Sequence, residues 1–314
     1  MTSPAVGHRR PTISVVVNTL NEEHRLPLAL RSVRGWVDEI VVVDMHSDDR
    51  TVAVAEAFGA RIFLHERLSY ADPARAFALA QATGEWVLIL DADELVPYPL
   101  SRRLREVATA DEVDIVSIPW RNYLLGAALD HTGWGLGQDR HRRFFRRGSV
   151  TVRADIHDYL HAEGGARVLD LPVEPGLAVV HFNYRDVTQF VEKLNRYTSI
   201  EAAAAAAAGR RGGAARATVG ALREFAGRFV RRGGWRDGWR GFYLSALMAM
   251  YRLVVAAKLE ESRRNGSPAA VDEAYREIAE RVLAEYGAAG AERALDAPPV
   301  VGDPADLGAP PASA

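Results

Sequence analysis

Three acids within four positions, Asp91, Asp93 and Glu94, close an unbroken apolar run, Trp86-Val87-Leu88-Ile89-Leu90. Carboxylates so placed can hold a hard divalent cation. Mg²⁺ or Mn²⁺ takes one or two protein carboxylates and fills its other positions with substrate phosphates and water. If the strand stays extended through Asp93, alternation puts Asp91 and Asp93 on one side and Ala92 on the other. Taken alone, an Asp-x-Asp is as well explained by an acidic turn at a strand end. Two further polar groups follow apolar runs in the same way, Asn21 after Ile13 to Val17 and Asp44 after Ile40 to Val43. Repetition of that pattern favours a shared site.

The elements that must position these groups alternate. Strands are expected at Thr12–Asn18, Glu39–Asp44, Ala60–Leu64 and Trp86–Leu90, with helices at Leu28–Val33, Thr51–Phe58 and Pro73–Ala82 between them. Ser47 or Asp48 is the expected cap of the second helix, and Gly59 its stop. Strand–helix alternation predicts an α/β fold with a mostly parallel sheet, whose ligands lie at the carboxyl ends of the strands. A further strand, Ile115–Ile118, and a basic, aromatic one, Gln138–Arg147, follow. The chain has 314 residues, 48% hydrophobic and 25% charged, with net charge −2. That near-neutral balance disfavours a nucleic-acid partner. Absence of cysteine excludes disulfides, thiolate metal sites and a cysteine nucleophile. Met1 to Arg10 holds no apolar core, so no secretory leader is expected.

Several stretches in the right order carry a resemblance: Val15-Val16-Val17-Asn18-Thr19-Leu20-Asn21-Glu22-Glu23, Asp38 to Asp44 with Ser47 and Asp49, Ala82-Thr83-Gly84-Glu85-Trp86, and Leu90 to Glu94. Over roughly residues 11 to 185 the chain resembles family 2 glycosyltransferases, and most closely the lipopolysaccharide-core and cell-envelope branch. The resemblance implies a GT-A type, Rossmann-like sheet, a nucleotide-sugar donor (a UDP-sugar first), Mg²⁺ or Mn²⁺, and inversion at the anomeric carbon. It assigns the donor to Thr19, Leu20, Asn21, Glu23, Asp44, Arg75, Asp91, Ala92 and Arg142, and the metal to Asp93 with Asp91. The chain departs from the family at Met45-His46, where a small residue and Ser are common, and at Ala76, where Asn is. It lacks the Gln-x-x-Arg-Trp of processive members, so a non-processive enzyme is expected.

Inverting transfer needs a carboxylate to take the acceptor's proton. Many members place a Glu-Asp pair, and the core branch a His-Glu pair, where this chain has His157-Asp158. Asp158 is the first candidate base, Asp155 the second and Asp139 the third, with His157 orienting the base or ligating metal. His181 is a further metal or phosphate contact. Gly133-Trp134-Gly135-Leu136-Gly137 reads as a flap; its spacing is wrong for a dinucleotide fingerprint.

Beyond Val187 the period turns helical and runs into the alanines of 202–208. Nine arginines then face only Glu224 and Asp237 between residues 210 and 240, interleaved with Phe225, Phe229, Trp235 and Trp239. The apolar stretch 241–259 follows, with Arg252 near its centre. This composition suits a helix lying in a membrane interface over 210–260; burial in the core or in a homodimer is the competing reading. The expected organisation is a disordered 1–10, a donor-binding domain 11–186, a basic helical extension 187–286 and a disordered tail 287–314. The expected enzyme extends a lipid-linked or other cell-envelope glycan from the cytoplasmic face of the membrane. A sugar-phosphate nucleotidyltransferase and a non-catalytic membrane scaffold are the rivals.

Overall fold

Nearly unbroken apolar runs make the centre of the sheet. In the computed structural model, which describes residues 10–68, 72–152 and 160–290, every residue of β1 (Ile13–Thr19) is buried. It lies between β2 (Glu39–Asp44) and β4 (Trp86–Ile89), both parallel to it, and β3 (Arg61–Leu64) continues the parallel order outside β2. Strands covered on both faces need no polar side, which is why they read as continuous Val, Ile and Leu. Helices α1 (Leu26–Val33), α2 (Thr51–Ala57) and α4 (Tyr98–Ala110) put Leu26, Leu30, Ala55, Leu100 and Leu104 into one core. Helix α3 (Asp72–Ala80) covers the other face through Ala78, against Val16, Val43 and Ile89.

Beyond β4 the order becomes mixed. A two-residue strand β5 (Glu94–Leu95) lies at the far edge, β6 (Ile115–Leu124) near the centre and β7 (Ala127–Ala128) against its end. Strand β8 (Arg140–Arg146) inserts antiparallel between β4 and β6. Its Phe144 stacks on Trp86 with ring centroids 4.8 Å apart. Strands β9 (Val150–Val152) and β10 (Leu160–Ala162) form a separate hairpin-like pair, while β11 (Val168–Asp170) and β12 (Val179–Tyr184) run parallel to β6. The ten-stranded sheet is ordered β3-β2-β1-β4-β8-β6-β12-β5, with β7 and β11 also paired to β6. An α/β, GT-A type sheet is what the alternation and the resemblance predicted.

Helix α5 (Val187–Ala207) starts on Asp186, whose carboxylate accepts the Gln189 amide hydrogen. Helix α6 (Ala214–Ala226) continues into a wider turn over Gly227–Arg231, and α7 (Gly238–Asn265) follows. Phe190, Leu194 and Leu244 pack with Leu124, Leu125 and Leu129 in a third core. The chain divides into two compact units, Met1–Lys258 and Leu259–Ala314. In the second, α8 (Pro268–Gly290) leaves Tyr275, Ile278, Val282 and Leu283 exposed. Gly234–Asn265 is by length and composition apolar enough to cross a membrane, and 17% of its most apolar window is buried.

Two local expectations are corrected. Strand β4 ends at Ile89, so Asp91 and Asp93 do not alternate along an extended strand. They sit in a turn closed by the Glu94 amide on the Asp91 carbonyl, 3.0 Å, and by the Asp91 amide on Glu94 Oε2, 2.8 Å. Neither Ser47 nor Asp48 caps α2. Asp49 Oδ1 instead accepts the amide and hydroxyl hydrogens of Thr51, at 2.9 and 2.5 Å.

Candidate active site at the strand ends

One wall of the site is two loops stitched together. The amides of Asn21, Glu22 and Glu23 donate to Ser47 Oγ, Thr51 Oγ1 and Asp49 Oδ2 at 2.9, 2.7 and 3.1 Å. Asn21 Oδ1 accepts the Asp48 amide in return, at 2.8 Å. Asn21 has φ +56°, a left-handed conformation that Asn tolerates better than most residues. Asp44 is 1% exposed; it accepts Thr19 Oγ1 at 3.0 Å, Ser47 Oγ at 2.6 Å and the Ser47 amide at 2.8 Å. Its carboxylate therefore shapes the loop. Leu20 is half-buried beside it, and Glu23 is paired with Arg50 at 3.2 Å.

The next wall is a carboxylate between two guanidiniums. Arg75, from α3, donates to Asp91 Oδ1 at 2.8 Å, and Arg143, from β8, donates to Oδ2 at 3.1 Å. Burial opposes the charge on Asp91, but Arg143 and then Arg75 overcome it and hold the carboxyl well below the usual range. Ala92 is buried behind this turn. Arg142, expected at the donor, is exposed. The pairing of β6 with β8 passes from Val116–Phe144 to Ser117–Arg142, leaving Arg143 as an extra residue in a bulge. Bulges re-aim side chains in this way beside functional sites. Strict alternation could not have selected Arg143.

Deleting one partner of a buried pair costs about 3–5 kcal/mol. Asp91 is 26% exposed, so Arg143→Met is expected to lower stability by a smaller amount, about 2–3 kcal/mol. Arg142→Met should stay within about 0.5 kcal/mol of wild type. Denaturant unfolding measures both, and equal losses would be incompatible with this geometry.

Asp93 is held differently. Among the described residues its nearest basic groups are Arg25 Nη1 at 3.8 Å and His181 Nε2 at 3.7 Å, both beyond hydrogen-bond length. Glu94, 1% exposed, accepts Trp120 Nε1 at 2.8 Å, and burial first and Asp91 second raise its carboxyl. Asn122 joins the rest. Its Nδ2 donates to Asp139 Oδ2 at 2.7 Å and to the Trp134 carbonyl at 3.0 Å, so its Oδ1 faces His181 Nδ1 at 2.7 Å. The contact with Asn122 fixes the orientation of the His181 ring, with Nε2 turned towards Asp93. Asp139 also meets His141 Nε2 at 2.8 Å; burial opposes its charge, but His141 and Asn122 hold the carboxyl below its ordinary value.

These residues fit a hard cation. Asp93 is not saturated by hydrogen bonds among the described residues, and the His181 imidazole stands beside it. Among the described residues no three His, Cys, Asp or Glu side chains are grouped to hold an ion unaided, so an ion held here would take its other ligands from water or substrate. The sequence reading names Arg143 only as one of four arginines, with Arg142, Arg146 and Arg147, that could neutralise a diphosphate or a phospholipid-linked acceptor, and does not single out Arg25, Asn122 or Asn18. Asn18 is 7% exposed, and among the described residues its amide nitrogen and oxygen have no partner. It follows Val16 by two positions, on the face that α3 covers. A buried amide without partners at a strand end is a signal only coordinates supply. Asp155, His157 and Asp158 lie outside the described residues.

Burial pushes the Glu22 carboxyl up to about 7, with Asp93 adding to the rise and Arg25 opposing it. The folded state keeps this proton between pH 4.5 and about 7 while the unfolded state loses it. Its contribution is therefore full below pH 4.5 and lost as pH rises through about 7. Glu22→Gln should remove that slope, so wild type loses on the order of 2 kcal/mol relative to the variant between acid and neutral pH. Urea unfolding of metal-free protein across this range tests it; parallel curves would refute it.

The family model for Glycosyl transferase family 2 matches residues 14–167. A lipopolysaccharide core biosynthesis glycosyltransferase of Rhizobium meliloti is 28% identical over 272 residues, 83% of this chain and 97% of that protein. An uncharacterized glycosyltransferase of Rickettsia felis is 27% identical over 259 residues, 80% of this chain and 90% of that protein. Glucosyl-3-phosphoglycerate synthase of Mycobacterium tuberculosis is 32% identical over 180 residues, 54% of this chain and 48% of that one. Its crystal structure with Mn²⁺, uridine diphosphate and glucosyl-3-phosphoglycerate has a TM-score of 0.30 at 28% identity, covering 36% of this chain and 44% of that chain. The chain thus spans about half the length of this last relative.

Proposed function

The chain belongs to glycosyl transferase family 2, and on that premise we propose that it is an inverting, metal-dependent, non-processive glycosyltransferase. It moves a sugar from a nucleotide-diphosphate donor, a UDP-sugar first, to a lipid-linked or other cell-envelope glycan. The observation that carries this reading is the contrast between the two acids. Asp91 is neutralised by Arg75 and Arg143, while Asp93 has, among the described residues, no partner at hydrogen-bond distance and lies 3.7 Å from His181 Nε2. A diphosphate needs both an electropositive cradle and a cation to carry its charge.

The donor's base and ribose lie along Thr19–Glu23 and Asn18, whose buried amide then gains its missing partners. Asp44 keeps that loop in shape. Arg75 and Arg143 bind the donor beside Asp91, and Asp93 with His181 would hold Mg²⁺ or Mn²⁺. When bound, the cation neutralises the departing diphosphate. In the transfer the acceptor hydroxyl oxygen attacks the anomeric carbon from the side opposite the phosphate. The carbon–oxygen bond to the diphosphate breaks with its electron pair, and the hydroxyl proton passes to Asp158, with Asp155 next in order. Asp139 positions, because a carboxyl held below its ordinary value is a weak proton acceptor. Residues 11–186 bind the donor, and residues 187–286 form the extension that meets the cytoplasmic face of the membrane through 210–260.

A panel of nucleotide sugars, scored for Mn²⁺-dependent binding and slow hydrolysis, tests the reading. One donor should bind only with metal. Metal-independent binding throughout, or none, would overturn it.

A further inference from the structure

The arginine-rich extension and the active-site loop are physically one piece, and this is not required by either function separately. Asp237 Oδ1 meets His131 Nδ1 at 3.0 Å and accepts the Asp130 amide at 3.3 Å. Arg228 Nη1 donates to the Thr132 carbonyl at 2.8 Å, and its guanidinium lies 4.5 Å from the centre of the Trp134 ring. Gln138 Nε2 reaches the Arg232 carbonyl at 3.4 Å. The fit is close. A Cβ on Gly133 would stand 2.6 Å from Arg232 Nη1 and 3.1 Å from Arg228 Nη1, and one on Gly233 would stand 2.8 Å from His131 Cδ2. On its other side the loop is tied by Asn122, which bonds the Trp134 carbonyl and Asp139 together and orients His181 towards Asp93.

The same turns and the adjoining parts of α6 and α7 also expose an aromatic and basic surface suited to an anionic, apolar medium. Trp235, Trp239, Phe242 and Tyr243 are 56%, 54%, 45% and 55% exposed. Arg236 and Arg240 lie over the rings of Trp235 and Trp239, at 5.0 and 4.6 Å. The rings of Phe225, Phe229 and Phe242 contact one another, joining the α6 and α7 surfaces. Arg216, Arg223, Arg231, Arg232 and Arg236 are exposed, and no acid pairs with them among the described residues. Arg228 and Arg232 crowd one glycine with Glu224 as the only acid bonded to either among the described residues. An anion near Arg232 would relieve that repulsion. Exposed Trp and Arg together fit the headgroup level of a bilayer, and each arginine near an anionic surface strengthens the attraction.

We infer that an anionic lipid bilayer binds the Arg/Trp face of α6 and α7, and that this binding fixes loop 130–138 and, through Asn122, sets Asp139 and His181 for catalysis. The idea rests on the membrane-associated reading above and adds its regulation: the enzyme is ordered where its lipid-linked acceptor is found. Lipid on the Arg/Trp face reinforces the contacts that Asp237 and Arg228 already make with the loop.

The test uses the full chain with vesicles of phosphatidylcholine alone or mixed with phosphatidylglycerol. Sedimentation should show at least about tenfold stronger partition into the anionic vesicles, falling with salt. Amide hydrogen exchange over residues 131–138 should slow by about tenfold on those vesicles only. Arg232→Glu with Arg236→Glu should remove both effects. Asp237→Asn should keep the partition and lose the slowing. Equal partition into both vesicles would overturn the lipid surface, and anionic binding without any change in loop exchange would overturn the coupling. The wild-type comparison stands even if a variant fails to fold. No readout uses donor or acceptor, so failure here is distinct from failure of the transferase reading, which the nucleotide-sugar panel decides.

Discussion

Asp93→Asn is expected to cut transfer by about a thousandfold and to abolish Mn²⁺-dependent donor binding. Asparagine keeps the shape of the side chain and removes its charge. A metal at a transferring phosphate is worth several kcal/mol, and each 1.36 kcal/mol is a factor of ten. Stability should change little, within about 1 kcal/mol, because Asp93 meets Arg25 and His181 only at 3.8 and 3.7 Å. Asp91→Asn should behave in the opposite way. It breaks two bonds, to Arg75 and Arg143, and destabilises the fold as well as the donor site. Titration of donor with and without Mn²⁺, beside denaturant curves for both variants, separates the roles. If Asp93→Asn keeps metal-dependent binding within tenfold of wild type, the metal assignment is wrong.

Asp158→Asn should leave donor affinity unchanged and lower transfer by about 10² to 10⁴, the range removed with a general base. Asp139→Asn should do less. An amide at position 139 can keep one contact to Asn122, and the carboxyl it replaces is held below its ordinary value by His141 and Asn122. Its effect should be nearer tenfold, felt through His181 and the Trp134 loop. Steady-state transfer and donor binding on the two variants decide the order. Full transfer by Asp158→Asn would hand the role to Asp155; near-complete loss in Asp139→Asn with binding intact would make Asp139 the base.

The strand centres were legible because they are buried on both faces. Ile13 to Val17, Ile40 to Val43 and Trp86 to Ile89 are apolar throughout, and no other element accommodates such short, β-branched runs so well. Their order, with helices between, determined a mostly parallel sheet, and with it the edge at which Asn21, Asp44, Asp91 and Asp93 gather. The family resemblance rested on those same residues. Periodicity also found α5, and composition found the basic, aromatic extension.

Other features depended on contacts between residues far apart in the chain. The sequence could not show that β4 stops before Asp91, because the turn is closed by Glu94 and held by arginines sixteen positions before Asp91 and fifty-two after it. It could not choose between Arg142 and Arg143 in the basic strand; a bulge, set by the β6–β8 register, delivers Arg143 to Asp91. It marked Asp44 by its place at a strand end, but only packing shows that Thr19 and Ser47 bond its carboxylate. Local pattern determines which segments are strands and helices because burial repeats with a fixed period. Which charge faces which is decided by packing at long range, and the sequence alone carries no period for that.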